Sequence, residues 1–265
     1  MRAFFVSLFL IVTPAQAKSP LVAETTYSEI KRLSLEIVKM CPPKNCLVIG
    51  IGRSPIAITT FLDQLKPGSA INLPLSEFRH EFLSTADRKS VFDYFDRFLK
   101  DKVPTHAEKV LLVDYSQRGE SIYSADKYFK EYLQYKKINK KVDSAVLYGF
   151  DHEERIYKTL KINDYHPYML RVDDMTDYYS KLELEFYDDY AEYGEYNLNG
   201  MKKGLDPYKN GSNYYYFRKD IESFIKNDSR LAGDYARAQG TIAYPPASIT
   251  PVDCFKVKLR KIFKL

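Results

Sequence analysis

Residues that bind metals or act as nucleophiles are scarce in this 265-residue sequence, which has three cysteines, four histidines and no tryptophan. A zinc site takes about four ligands at defined spacing, but the histidines at positions 80, 106, 152 and 166 are scattered. No histidine-rich pattern accompanies a cysteine, as a catalytic thiol would require. The sequence therefore indicates neither a zinc site nor thiol chemistry, and we expect no metal site built from the chain alone.

The cysteines, Cys41, Cys46 and Cys254, leave room for a disulfide. Cys41 and Cys46 flank the segment Pro-Pro-Lys-Asn, so they could close a small loop between a first helix and a first strand. A disulfide that involves Cys46 and a reduced Cys46 are both compatible with this spacing. The pairing of the three cysteines is open at this point.

Long hydrophobic runs are missing apart from one at the N-terminus. The basic start Met1-Arg2 precedes the apolar run Ala3–Val12, which is shorter than the roughly 20 residues that span a bilayer. Small residues at Ala15 and Ala17 fit a signal-peptidase site. We therefore expect residues 1–17 to be a signal peptide cleaved after Ala17. With no later transmembrane segment in the sequence, the mature chain is predicted to be periplasmic or secreted.

The composition is that of a folded globular protein, with 45% hydrophobic and 28% charged residues. Its 23 tyrosines are unusual, and they could serve an interface or a platform for a sugar or a base. Half-buried filler in strands and helices is the alternative use of tyrosine. No nucleic-acid partner is expected.

Hydrophobic periodicity predicts an alternation of helices and strands between residues 26 and 172. This order predicts an α/β domain over 18–172, whose mostly parallel sheet has helices on both faces. A Tyr-rich α+β extension is predicted over 173–265, with helices at 214–226 and 230–238. The predicted helices of the first domain are 26–40, 55–66, 87–99, 122–137 and 151–159, and its strands are 46–49, 70–73, 109–113, 142–150 and 168–172.

The first of two polar loops follows strand 46–49. Gly50 and Gly52 would let the backbone approach a ligand closely. Arg53 offers a forked cation and Ser54 a hydroxyl at the predicted N-cap of a helix that starts at Pro55. This pattern suits an oxyanion, and a tight strand-helix turn with a surface arginine is the alternative.

The second polar loop follows strand 109–113 and begins with a carboxylate, Asp114. Ser121 is predicted to be the N-cap of the next helix, where unpaired amides and the helix dipole favour an anion. Asp114 could accept sugar hydroxyls, and the loop could wrap a phosphate. A capped helix start without a ligand is the alternative. The candidate binding residues of this loop are Ser116, Gln117, Arg118, Gly119, Glu120 and Ser121.

The stretch 47–149 resembles the type I phosphoribosyltransferase fold. In that family, a buried strand ends in one or two acids that hold ribose hydroxyls, and a following Thr-Gly-x-Thr or Ser loop holds the 5′-phosphate. The run Val-Leu-Leu-Val-Asp114 is similar to that strand, and Gly119-x-Ser121 is similar to the end of that loop. An earlier loop of glycine and basic residues, which 50–54 resembles, holds pyrophosphate in the family.

The resemblance implies a phosphorylated sugar or nucleotide as the ligand, usually bridged by Mg²⁺. It implies glycosyl or pentosyl transfer as the reaction, with Asp114 orienting the sugar and Arg53 holding the leaving oxyanion. Val113, Gln117 and Arg118 stand where the family has its other acids and its threonine. These departures favour a second hypothesis, in which the chain is a non-catalytic exported binding or host-interaction protein.

Tyrosines and acids crowd the segment 177–196, which starts the predicted extension. They could form a hood that stacks a base or a sugar, or a surface for a protein partner. A polar-aromatic packing face is the alternative. The tail that begins at Phe255 alternates apolar and basic residues, which predicts an edge strand or a basic amphipathic segment.

Overall fold

A computed structural model describes residues 22–52, 54–73, 75, 84–99, 103, 107–173 and 213–240. The predicted signal peptide, Arg53, the Tyr-rich segment 177–196, Cys254 and the C-terminal tail lie outside the described residues. Within the described ranges, no helix is both long and apolar enough to cross a membrane.

One five-stranded sheet, all of it parallel, forms the centre of the fold. The strand order is β2-β1-β3-β4-β5. This finding confirms the α/β class and the parallel sheet that the alternation predicts. The strands are β1 Cys46–Ile51, β2 Ala70–Leu73, β3 Lys109–Tyr115, β4 Lys141–Gly149 and β5 Tyr168–Val172.

Helices connect the strands and lie on both faces of the sheet. Their bounds agree with the predicted helices to within a few residues, and a 3₁₀ turn at Phe150–His152 follows β4. The described helices are α1 Glu24–Met40, α2 Ile56–Leu65, α3 Thr85–Leu99, α4 Glu120–Tyr135, α5 Glu153–Ile162, α6 Asn213–Asn227 and α7 Leu231–Ala238.

The sheet separates two apolar layers because successive side chains of a strand point to opposite faces. On β3, Leu112 joins the cluster that contains residues of α3, α4 and α5. Leu111 and Val113 join the cluster that contains residues of α1 and α2. Every residue of β1 is buried, as expected for a central parallel strand covered on both sides.

The C-terminal helices pack on the outer side of α1 and α2. Phe217 and Ile221 of α6 share a third apolar cluster with Tyr27 and Ile30 of α1 and Phe61 of α2. The ring of Tyr27 also stacks on that of Phe224 in α6, with centroids 4.7 Å apart. Helices α6 and α7 are therefore joined to the α/β layers by a continuous apolar contact.

A disulfide joins Cys41, just after α1, to Cys46, the first residue of β1. It closes the short Pro-Pro-Lys-Asn loop, so of the two alternatives for Cys46, disulfide-bonded or reduced, the structure has the disulfide. The bond ties the end of the first helix to the amino end of a central strand.

Candidate functional site

The two polar loops lie at the carboxyl ends of neighbouring strands. β1 and β3 pair in parallel, with Gly50 opposite Val113. After β1 the chain runs through α2 to β2, which pairs with one edge of β1. The next strand, β3, pairs with the opposite edge of β1. Helix α2 packs on one face of the sheet and α4 on the opposite face. Strand order thus reverses between β1 and β3, and open α/β sheets bind ligands in the crevice at such a point.

Gly50 is packed against its own chain. A Cβ at this position would lie 2.6 Å from Oδ1 of Asn72, 2.7 Å from Cγ2 of Thr59 and 2.9 Å from Cγ of Pro55. The missing side chain lets the start of α2 and the end of β2 approach β1. Glycine is therefore required here by packing, whatever the crevice binds.

Gly52 turns the chain out of β1 in a left-handed conformation, with φ of 72°. Its amide donates a hydrogen bond to the carbonyl of Leu73 at 2.9 Å, and its carbonyl accepts one from Nδ2 of Asn72 at 3.0 Å. Asn72 thus fixes the loop from the neighbouring strand, a role that the sequence analysis missed. The signal for it is a lone amide in the otherwise apolar strand Ala-Ile-Asn-Leu.

The start of α2 differs from the predicted one. Pro55 is the N-cap and Ile56 the first helical residue, so the assignment of Ser54 as N-cap is wrong by one residue. The carbonyl of Pro55 accepts the amide of Thr59 at 3.0 Å, which closes the first turn without a side-chain cap. Ser54 is half-buried and precedes this turn. Arg53 is the one candidate residue of this loop outside the described residues.

Asp114 lies within β3, one residue before its end, with 6% of its surface exposed. Its Oδ2 accepts a hydrogen bond from the hydroxyl of Ser121 at 2.5 Å. A buried carboxylate needs such donors, because an ionised side chain that is buried without a hydrogen-bond partner destabilises the fold by several kcal/mol. The contact brings the strand end and the first turn of α4 together.

The predicted N-cap of α4 is also wrong. Gly119 holds the N-cap position with φ of 82°, a left-handed conformation that glycine adopts at little cost. Its amide donates to the buried hydroxyl of Ser116 at 2.7 Å. Ser121 lies inside the first turn of the helix instead, and its hydroxyl donates to Asp114 rather than accepting from an amide of the helix.

The remaining residues of the second loop are less buried than Asp114. Gln117 and Arg118 are exposed, and Glu120 is half-buried in the first turn of α4. A carboxylate at a helix N-terminus interacts favourably with the helix dipole. Glu120 therefore competes for the same field that an anionic ligand would use, whereas Arg118 can approach an anion.

A histidine from the end of β4 lies beside this loop. The ring of His152, at the end of the 3₁₀ turn after β4, meets the ring of Tyr115 edge-on, with centroids 6.5 Å apart. The amide of Ser116 donates to the carbonyl of Leu147 at 3.0 Å, which holds the loop against β4. The sequence analysis missed His152, because its proximity to the loop depends on β3 and β4 being neighbours.

Buried polar groups continue beneath α4. Ser144 of β4 donates to Oδ1 of Asp126 at 2.8 Å, and Lys130 donates to Oδ2 at 2.7 Å. The hydroxyl of Tyr165 is buried near these groups, and burial raises its pKa, with the charges of Asp126 and Asp114 adding to the rise. Helix α4 therefore packs on the sheet through buried hydrogen bonds as well as through apolar contacts.

A cavity of about 810 Å³ lies elsewhere, between α1 and α6. Tyr27, Ser28 and Lys31 line it from α1, and Asp220 and Phe224 line it from α6. Lys31 lies between Asp228 and Asp234, so the charge of this lysine is paired within the fold. It differs from the β1–β3 crevice in that no predicted site residue lines it.

In comparisons with protein-family models, curated proteins and solved structures, nothing matched this chain. Functional inference therefore rests on the crevice itself, its buried acid and the groups around it.

Proposed function

We propose that this chain is an exported protein of phosphoribosyltransferase-like fold that binds a phosphorylated sugar or nucleotide at the β1–β3 crevice. The observation that carries the proposal is the position of Asp114. It is a buried carboxylate at the carboxyl end of β3, beside the reversal of strand order and against the first turn of α4. Ligands of open parallel sheets bind at such a point.

Each loop would contact a different part of the ligand. Asp114 would accept hydrogen bonds from sugar hydroxyls, and the segment 117–121 would offer backbone amides to a phosphate. Arg53 would hold a second oxyanion or a leaving group from the β1 side. This arrangement would serve glycosyl or pentosyl transfer. The proposal includes export of the chain, with residues 1–17 as the signal peptide.

The resemblance also implies Mg²⁺. This ion is usually held by one or two carboxylates together with phosphate oxygens and waters. Asp114 would be the carboxylate, and it would remain the main protein ligand, since the described residues contain no cluster of three or more His, Cys, Asp or Glu side chains. One carboxylate would be enough for a Mg²⁺ ion whose other ligands are phosphate oxygens and waters.

A second candidate function is non-catalytic binding by an exported protein that keeps this fold. It is favoured by the hydrogen bonds within the loop, where Ser121 engages Asp114 and Ser116 engages the amide of Gly119. The Tyr-rich segment 177–196, which lies outside the described residues, would then bind a protein partner.

A thermal-shift titration of the purified protein tests ligand binding. The ligands are inorganic phosphate, ribose 5-phosphate, nucleotides, and phosphoribosyl pyrophosphate with Mg²⁺. We expect a phosphorylated sugar or nucleotide to raise the Tm, and we expect Asp114→Asn to abolish that rise. Asp126→Asn is the matched control, because Asp126 is about as buried as Asp114 but belongs to α4, farther along that helix from the loop.

The same samples separate the two candidate functions. Release of pyrophosphate from phosphoribosyl pyrophosphate and its loss in Asp114→Asn would support transfer. Stabilisation without turnover would support the non-catalytic function. If no ligand raises the Tm of the wild-type protein, the proposal of a phosphate site is wrong.

A further inference from the structure

The imidazole of His152 has no hydrogen bond in the part of the chain that the structure describes. Its Nδ1 is buried without a partner, while the side chain as a whole is only half-buried. A buried polar atom without a partner costs free energy. An apolar ring would fill the same space against Tyr115 without that cost, so packing alone does not account for an imidazole here.

The buried nitrogen limits what the ring can do. A neutral imidazole has one donor and one acceptor nitrogen. Because Nδ1 is the buried nitrogen, Nε2 is the ring nitrogen left to meet a ligand, and as an N–H it would donate one hydrogen bond. The ring then offers one hydrogen-bond donor to its surroundings, and the edge contact with Tyr115 holds it in place.

The position of this donor connects it to the crevice. His152 follows the carboxyl end of β4, and β4 pairs with β3 along its length. Adjacent strands lie about 4.8 Å apart. His152 contacts Tyr115, whose side chain lies on the face of the sheet covered by α1 and α2, opposite to the side chain of Asp114. A ligand at the carboxyl edge of the sheet would therefore have His152 on one side and the start of α4 on the other.

We propose that His152 is a ligand-contacting residue of this crevice, donating a hydrogen bond from Nε2 to a phosphate or sugar oxygen of the bound ligand. This inference rests on the proposed function and adds a residue to the same site. The ligand would then contact residues that follow three neighbouring strands, β1, β3 and β4. The ligand oxygen accepts the hydrogen bond, and no proton transfer is required.

Three variants test the contact by calorimetric titration with the best-stabilising phosphorylated ligand, starting with ribose 5-phosphate. His152→Phe keeps a ring against Tyr115 but removes the donor, and we expect a roughly tenfold weaker Kd. His152→Gln carries an amide donor and should restore most of the affinity. His166→Phe is the control, because the side chain of His166 is 83% exposed and paired with Asp164 beyond the other end of α5.

A spectroscopic measurement covers the case in which His152→Phe is destabilised. In the wild-type protein, the Nε2 resonance of His152 should shift on addition of ribose 5-phosphate, while that of His166 should not. Equal Kd values for wild type and His152→Phe, or an unmoved His152 resonance in a protein that does bind, would overturn this inference and leave the proposed function standing. Absence of binding to the wild-type protein would overturn both.

Discussion

The hydroxyl of Ser121 donates a 2.5 Å hydrogen bond to Oδ2 of Asp114, which joins the end of β3 to the first turn of α4. Seven residues separate the two partners, and the turn at Gly119 lies between them. The same carboxylate that we propose for sugar binding therefore also holds the loop in shape. Ligand binding and loop stability depend on one group.

Removing this hydroxyl should weaken the fold locally and measurably. We expect Ser121→Ala to lower the free energy of unfolding by about 1.5–3 kcal/mol, since it removes a hydrogen bond to a charged, buried group. Urea denaturation measures the change. Ser90→Ala is the control, because Ser90 is exposed and bonds only to the preceding turn of α3. A loss at Ser121 no larger than that at Ser90 would show that the contact does not stabilise the loop.

Gly119 is constrained by both conformation and space. Its φ is 82°, and an added Cβ would lie 3.2 Å from Cδ2 of Leu160. Gly68 has φ of 79° but has nothing within 4 Å of an added Cβ, so it isolates the conformational cost. We expect Gly68→Ala to cost about 1–2 kcal/mol and Gly119→Ala about 1 kcal/mol more, because Leu160 must move. Equal losses by urea denaturation would mean that the contact with Leu160 is unimportant.

A lysine of α1 also holds the C-terminal helices. Nζ of Lys31 lies 2.7 Å from a carboxylate oxygen of Asp228 and 2.7 Å from one of Asp234. These side chains are mostly buried, so we expect Lys31→Met to cost about 1.5–3 kcal/mol. Lys226→Met, which removes an exposed i,i+4 pair with Glu222, should leave the free energy of unfolding nearly unchanged. Similar losses for both variants would contradict this account of how α6 and α7 are held.

The same cluster predicts a pH dependence. Burial alone would raise the pKa of Asp228, but hydrogen bonds, first from Lys31, lower it overall. The hydrogen bond from Lys31 also lowers the pKa of Asp234. Carboxyls with a lowered pKa contribute stability at neutral pH, and this is lost as the pH falls below their unfolded value of about 4. The Tm of the wild-type protein should therefore fall below about pH 4 more steeply than the Tm of Lys31→Met.

The disulfide gives a prediction about reducing conditions. Cys41 and Cys46 close a loop with a sequence separation of five residues, and closing so short a loop contributes about 2 kcal/mol in the chain-entropy description. The double variant Cys41→Ser/Cys46→Ser should lose that amount in urea denaturation. A reductant should destabilise the wild-type protein to the same level and leave the double variant unchanged. A reductant effect on the double variant would point instead to a disulfide between the Cys254 residues of two molecules.

The sheet could be predicted because its strands are local signals. Ala70–Leu73 and Tyr168–Val172 have the bounds that their apolar runs predict. β3 continues two residues beyond its predicted end, because Asp114 and Tyr115 pair with Val146 and Leu147 of β4. That extension comes from a neighbouring strand, which periodicity within one segment cannot reveal.

The details of the site depended on contacts between distant residues. Serine is a common N-cap residue, but the hydroxyl of Ser121 donates to Asp114 of the preceding strand. Gly119 holds the N-cap position of the helix instead. Asn72 contacts Gly52 from β2, and His152 contacts Tyr115 from the end of β4, so both contacts follow from strand order. The sequence predicted that each loop follows a strand of a mostly parallel sheet, and it could not predict how the side chains of the loops pair.

The most direct test of the central claim is a map of amide chemical shifts on titration with ribose 5-phosphate and Mg²⁺. We predict shifts concentrated at 50–54 and 114–121, with none in the cavity between α1 and α6 that Lys31 lines. Asp114→Asn should remove them. Binding that shifts the residues of that cavity and leaves both loops unchanged would contradict the account, as would the absence of any shift.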